Sequence, residues 1–421
     1  MTPFSGLQNI VRALRNPNFG IYTAGSAVSL VGTWMQRVVT GWLTWELTGS
    51  GAWLGLVVFA DLFPTVVVGP IAGAYADRAD RLRVTKISQA LAMLQAVALF
   101  ILTATGLINI WLLLVLTLFL GLVAAFNQPA RLALIPALVP RGDLTAAVAV
   151  NSVVFNLARF IGPAAAGLII ATVGIPVAYG VNSVTFVAFL VALSKVRLNE
   201  EEGMPPKHGR LWADLVAGVR YTASHVGIAT VLTLMIAANV GARPLIELLP
   251  GFAAAVFHAG ATGLALLTSS VGAGAILAGL WLAGMSGGKS LGRAFLANTL
   301  ISALSGVLFA ATDSLWLAVP LLVVNGFAMA GMGISAQTLI QVSVDARMRG
   351  RVLSLFGLIF RGGPALGALI MGAASDHVGL RLPIFLGAVI VLGVWLWARL
   401  RQSRMIESLE RQQPPQVGGR D

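Results

Sequence analysis

Ile110-Trp-Leu-Leu-Leu-Val-Leu-Thr-Leu-Phe-Leu-Gly-Leu-Val-Ala-Ala-Phe126 carries no charged side chain, and the first one beyond it is Arg131. A helix of about 20 such residues spans the hydrocarbon core of a bilayer. This span, Asn109–Leu134, is one of twelve; the others are Phe19–Leu47, Ala52–Tyr75, Val84–Thr105, Thr145–Val173, Pro176–Leu193, His225–Leu248, Thr262–Gly284, Ala294–Ala311, Leu315–Ile340, Val352–Ser375 and Pro383–Leu400. The first, fifth and tenth exceed the core thickness, so tilt or extension is expected. Only 10% of residues are charged, against about one-quarter in a water-soluble domain. Hydrophobic residues make up 57%, and mean hydropathy is +0.86. The chain reads as an all-α polytopic membrane protein.

The net charge of +12 raises the possibility of a nucleic-acid partner, but its distribution opposes it. Nearly all of the 28 lysines and arginines fall in alternate connections between spans. Arg381 alone lies in a connection of the other set, and Arg37, Arg159, Arg243 and Arg361 lie within spans. This is the positive-inside bias, which predicts an inner-membrane protein with both termini cytoplasmic. The basic excess then reports topology and contact with anionic lipid, not nucleic acid. Cysteine is absent, which excludes disulfides and thiolate chemistry, and the four histidines sit in loops or at span ends. No cofactor or metal site is expected. No cleavable signal is visible, and Phe4, Leu7, Val11 and Leu14 suit a short helix on the membrane surface.

The longest polar connection, Val196–Ser224, divides the spans six and six. Within it Trp212, Leu215, Val216 and Val219 follow helical spacing, predicting an amphipathic surface helix. The organisation expected is an N-terminal six-helix bundle over 1–195, a linker over 196–224, a second bundle over 225–400 and a cytoplasmic tail over 401–421. The halves echo each other. Span five carries Arg159, Gly162-Pro163 and Gly167; span eleven carries Arg361, Gly363-Pro364 and Gly367. Such repeats place a substrate site near the midplane, between the halves. Pro163 and Pro364 remove backbone donors, and the glycines admit close neighbours.

Ionisable groups at membrane depth cost several kcal/mol and normally face a cavity or a partner. Asp61 is the acid read near mid-bilayer, with Arg37 in the neighbouring span. Asp61 serves either as a structural partner of Arg37 or as a titrating carboxylate, since burial and a neighbouring arginine act on its protonation in opposite senses. Glu247 stands one turn from Arg243 at a span end and reads as a local pair. Gly284-Met-Ser286-Gly-Gly288 has Gly-x-Ser-x-Gly spacing, but it ends a membrane helix and has no histidine in its loop. No Walker A sequence is present. Nothing here reads as an enzyme.

Between spans two and three stands Gly73-Ala-Tyr-Ala-Asp77-Arg78-Ala-Asp80-Arg81-Leu-Arg83. It resembles the Gly-x-x-x-Asp-Arg-x-x-Arg signature of the major facilitator superfamily, with Asp80 where glycine is usual and Leu82 where a basic residue is usual. In the second half Gly284, Lys289 and Arg293 match, but Gly288 falls where the acid would be. Gly32-Thr-Trp-Met-Gln36, Leu47-Thr-Gly-Ser50, Pro129-Ala-Arg131, Ala158-Arg-Phe-Ile-Gly-Pro163 and Leu248-Leu-Pro250 narrow the likeness. They are similar to the enterobactin-exporter-like, drug:proton antiporter branch, from Asn16 to about Arg399.

The resemblance implies the major facilitator fold, two pseudo-symmetric six-helix bundles that rock about a central cavity. It implies a cytoplasmic gate of Gly73, Asp77, Arg78, Arg81 and Arg83, with Asp77 facing the start of span eleven. The cavity is expected to be lined by Trp34, Gln36, Arg37, Asn127, Gln128, Arg159, Asn239, Gln337 and Arg361, and proton coupling is assigned to Asp61 with Arg37. The expected function is proton-coupled efflux of an amphipathic small molecule by a monomer in contact with membrane lipid. A lipid or lysolipid flippase of the same fold and a non-transporting sensor are the alternatives.

Overall fold

The computed structural model describes residues 10–76, 78–198, 211–283 and 288–402, and every regular element among them is helical. The first half comprises α1 (Pro17–Thr48), α2 (Gly51–Val67) with its continuation α3 (Gly69–Ala76), α4 (Arg81–Ala104), α5 (Ile110–Leu134), α6 (Leu144–Val173) and α7 (Ile175–Lys195). The surface helix α8 (Leu211–Ser224) follows. The second half holds α9 (Val226–Gly241), α10 (Gly260–Ala283), α11 (Gly288–Ala311), α12 (Leu315–Ser343), α13 (Ala346–Val378) and α14 (Arg381–Leu400).

Local chemistry sets the helix ends. Asn16 caps α1 through its side-chain oxygen, with Pro17 at the first position, and Gly49 ends α1 in the left-handed region at φ 59°. Ser50 at once caps α2, so two spans join in a tight hairpin. Asp80, at the usual glycine position of the signature, accepts from the amides of Leu82 (2.9 Å) and Arg83 (3.1 Å) and caps α4.

Ten of the described helices are long and apolar enough to cross a bilayer. The first two expected spans are built differently. α1 has the length, at 32 residues, but carries Gln36, Arg37 and Glu46. α2 has 17 residues and holds Pro64 before its continuation α3. The seventh span, expected over His225–Leu248, runs over Val226–Glu247. Within it α9 proper stops at Gly241, because Pro244 lacks an amide hydrogen, and the short turns Pro244–Glu247 and Leu249–Gly251 lead into a π-helical segment, Phe252–Val256.

In the first half α1 packs on α6 and α7, α4 on α5 and α7, and α2 on α5. In the second, α9 packs on α13 and α14, α11 on α12 and α14, and α10 on α12. Each pairing has its counterpart six spans on, so the molecule is two pseudo-symmetric six-helix bundles. They meet along two seams, α2 against α13 and α6 against α10. The terminal face is the one with Ile10 and Gln402, and the distal face carries the Gly49, Gly174 and Gly379 turns.

The seams close toward the distal face. A Cβ on Gly51 would run into Ser375, one on Gly55 into the Ala368 carbonyl, and one on Gly167 into Ala265. Toward the terminal face a Cβ on Gly73 of α3, Gly279 of α10, or Gly350 or Gly357 of α13 would meet open space. α3 packs on α5 of its own half. The halves touch toward the distal face, while at the terminal end of the first seam α3 packs within its own half.

Candidate functional site

Beneath the closed distal face, charges from both halves converge. Arg37 of α1 sends Nη2 to the Glu247 carboxylate of the second half at 3.4 Å and to Asp61 Oδ2 of α2 at 3.7 Å. Arg37 keeps 33% of its side-chain surface accessible and Asp61 26%, so the pair borders open space. Glu247 was expected to pair locally with Arg243. Its ion-pair partner is Arg37, because the Pro244 break re-aims the chain; Arg243 interacts with Glu247 only at longer range.

Aromatic rings organise the remaining cations. The guanidinium groups of Arg37 and Arg159 each lie 5.6 Å from the ring centroid of Trp34, which contacts Phe155 edge-on. Arg243 lies 4.8 Å from the Phe360 ring centroid, and its buried Nε has no hydrogen-bond partner. A ring face attracts a cation without neutralising it. Among the described residues neither Arg159 nor Arg243 has a carboxylate at ion-pair distance, so both are available to an anion that enters.

The other residues expected to line the cavity divide. Gln36 and Asn239 do not line it: they are 3% and 1% exposed. Gln36 donates to Gln95 (2.9 Å) and accepts from Asn182 (2.6 Å), joining α1, α4 and α7. It neighbours Arg37 in sequence, but successive side chains turn about 100° around a helix, so the two point in different directions. Asn239 donates to the Met235 carbonyl at 2.8 Å and fills the space opposite Gly363 of α13. Asn127, half-buried with its carbonyl oxygen unpartnered, and the exposed Gln128 and Gln337 lie nearer the terminal face, one set on α5 and the other on α12. Arg361 is half-buried and makes no hydrogen bond or ion pair with a described residue.

In the signature, Asp77 lies outside the described residues. Arg78 and Arg83 are exposed, and Arg81 donates to the Ala133 carbonyl at 3.2 Å. Of the helix-packing set, Gly162 of α6 rests against Trp34 and Met35 of α1, and Gly367 of α13 against Val240 and Pro244. Pro163 and Pro364 are buried within α6 and α13.

The family model described as transmembrane secretion effector matches residues 10–417, and the chain belongs to that family of major facilitator transporters. It is 25% identical to the staphyloferrin A transporter of Staphylococcus aureus (85% of this chain, 90% of the relative). It is 27% identical to the multidrug efflux pump Tap of Mycolicibacterium fortuitum (89% and 93%) and 26% identical to the enterobactin exporter EntS of Shigella flexneri (90% and 88%). The fold matches an inward-facing, unoccupied bacterial homologue of the lysosomal transporter Spinster, with TM-score 0.68, 14% identity, and coverage of 95% and 98%. The chain is a multi-pass membrane transporter and not an enzyme.

Proposed function

We propose that this transporter exports an amphipathic small molecule bearing an acidic group, in exchange for protons, by rocking its two halves. The observation that carries the reading is the cluster beneath the distal face. There three arginines (Arg37, Arg159, Arg243) face two carboxylates (Asp61, Glu247), and two of the arginines have no carboxylate of a described residue at ion-pair distance. Trp34 and Phe360 offer apolar faces beside those cations, a combination suited to a ligand with both kinds of surface. Asn127, Gln128, Gln337 and Arg361 border the path from the terminal face. The siderophore and drug substrates in the relatives' names accord with such a ligand.

The basic connections orient the terminal face to the cytoplasm of an inner-membrane protein. The bundles are 1–195 and 225–400, joined by the 196–224 linker, whose helix α8 rests on α13 through Gly218 and Arg351. The protein works as a monomer. The state observed, closed distally and open toward the terminal face, is then the inward-open one. Opening outward requires the Arg37–Glu247 bond between the halves to break. Asp61 then exchanges its ion pair with Arg37 for a proton while the cavity faces outward, and gives the proton up when the pair re-forms in the inward-open state.

Asp61→Asn, reconstituted in proteoliposomes with an imposed pH gradient, tests the coupling. Gradient-driven accumulation is expected to vanish while substrate binding and passive exchange persist. Intact accumulation would reduce Asp61 to a structural partner of Arg37.

A further inference from the structure

Asp376 stands at the distal end of α13, and its carboxylate crosses to the other half. Oδ1 accepts the backbone N–H groups of Gly51 (2.7 Å) and Ala52 (3.3 Å), and Oδ2 accepts the Ser50 hydroxyl (2.6 Å). Ser50 in turn caps α2 by accepting from the Trp53 amide at 3.2 Å. The first amides of a helix have no partner within it and carry the positive end of its dipole, so a carboxylate is favoured there on both counts. The approach depends on missing side chains: a Cβ on Gly51 would meet Ser375 and the Gly372 carbonyl, and one on Gly372 would meet the Gly51 carbonyl. All three bonds join the halves. None contributes to the stability of a single bundle.

We propose that Asp376 is the positioning residue that latches the distal face shut during transport. The signature implies the reciprocal arrangement at the other end of the same helix pair, with Asp77, just after α3, facing the first turn of α13. Rocking engages one latch as it releases the other, so their strengths set the balance of inward-open and outward-open states. The second seam has no such device, because α6 and α10 contain no acidic residue.

The inference rests on alternating access, and the test separates the two. The native chain lacks cysteine, so spin labels can be placed by single cysteines on the distal face at Leu107 and Trp316, both exposed and in opposite halves. Distances between them in lipid report the ratio of distally closed to distally open molecules. Asp376→Ala is expected to move that ratio about tenfold toward distally open, and Asp77→Asn to move it the other way. Gly51→Ala leaves the carboxylate in place but blocks its seat, and is expected to shift the ratio in the same direction as Asp376→Ala. Two wild-type populations whose ratio neither Asp376→Ala nor Gly51→Ala alters would overturn the latch while leaving alternating access intact. A single wild-type population at both acidic and neutral pH would defeat alternating access and the latch together.

Discussion

The seams between the halves occupy equivalent positions in the pseudo-symmetric fold, yet their chemistry differs. Along α2 and α13 lie Asp61, Asp376 and the close backbone contacts of Gly51, Gly55 and Gly372. Along α6 and α10 the contacts are Gly167 on Ala265 and Gly272 on Phe160, with one long hydrogen bond from Ser269 to the Phe160 carbonyl at 3.4 Å. Charged hydrogen bonds are short, directional and easily lost with displacement. Apolar contact is non-directional and roughly proportional to area, so it tolerates sliding. The polar seam is built to be either engaged or released, and the apolar one to let the halves turn.

The comparison is tested most severely at Gly55. A Cβ there would collide with the Ala368 carbonyl and come within 3.0 Å of Leu369 Cα, and main-chain atoms cannot rotate aside. Overpacking of this kind costs about 1–3 kcal/mol, or about one to two orders of magnitude in a two-state ratio. Because the strain exists only while the distal face is closed, Gly55→Ala should populate the distally open state and slow transport by a similar factor. Spin-label distances across the distal face measure the first effect and proteoliposome flux the second. Wild-type values for both would mean that this seam slides as freely as its counterpart.

Much of the architecture was legible because uncharged runs leave little choice of structure. The exceptions have physical causes: Arg37 and Gln36 make α1 more polar than an ordinary span, and Pro244 stops α9 early. Trp34, Arg37, Asp61 and Arg159 could be found as a tryptophan and charges at membrane depth, and they converge. Gln36 and Asn239 carried the same signal but face helices of their own half. Glu247 was misread because the spacing rule for local pairs assumes a continuous helix, which Pro244 interrupts. Asp376 was missed for another reason. An acid just beyond a span looks like an ordinary surface charge, and its partners are main-chain amides that no side-chain pattern reveals.

An intermediate effect is expected from Glu247→Gln. The Arg37–Glu247 bond is the ion pair among the described residues that joins the halves, at 3.4 Å and partly accessible, so its loss is set at about 1 kcal/mol. The population should move severalfold toward distally open, while the Asp61–Arg37 pair within the first half remains. Combined with Asp376→Ala the shifts should add, since the two sites share no partner. A double variant no more open than either single one would show that the charged cluster and the distal latch act as one unit.

The smallest effect is expected at the apolar seam. A Cβ on Gly272 of α10 would lie 3.0 Å from Phe160 Cα, 3.1 Å from the Arg159 carbonyl oxygen and 3.3 Å from Phe160 Cβ. These contacts are tight, but α6 needs to withdraw only a few tenths of an ångström, and apolar contact permits that at little cost. Gly272→Ala should therefore change the state ratio twofold or less and leave flux near wild type, although its place in the fold mirrors the seam that Gly55 guards. The same labels that report on Gly55→Ala measure it. Equal shifts from the two substitutions would mean that both seams are rigid, and the division into a switching seam and a sliding one would fail.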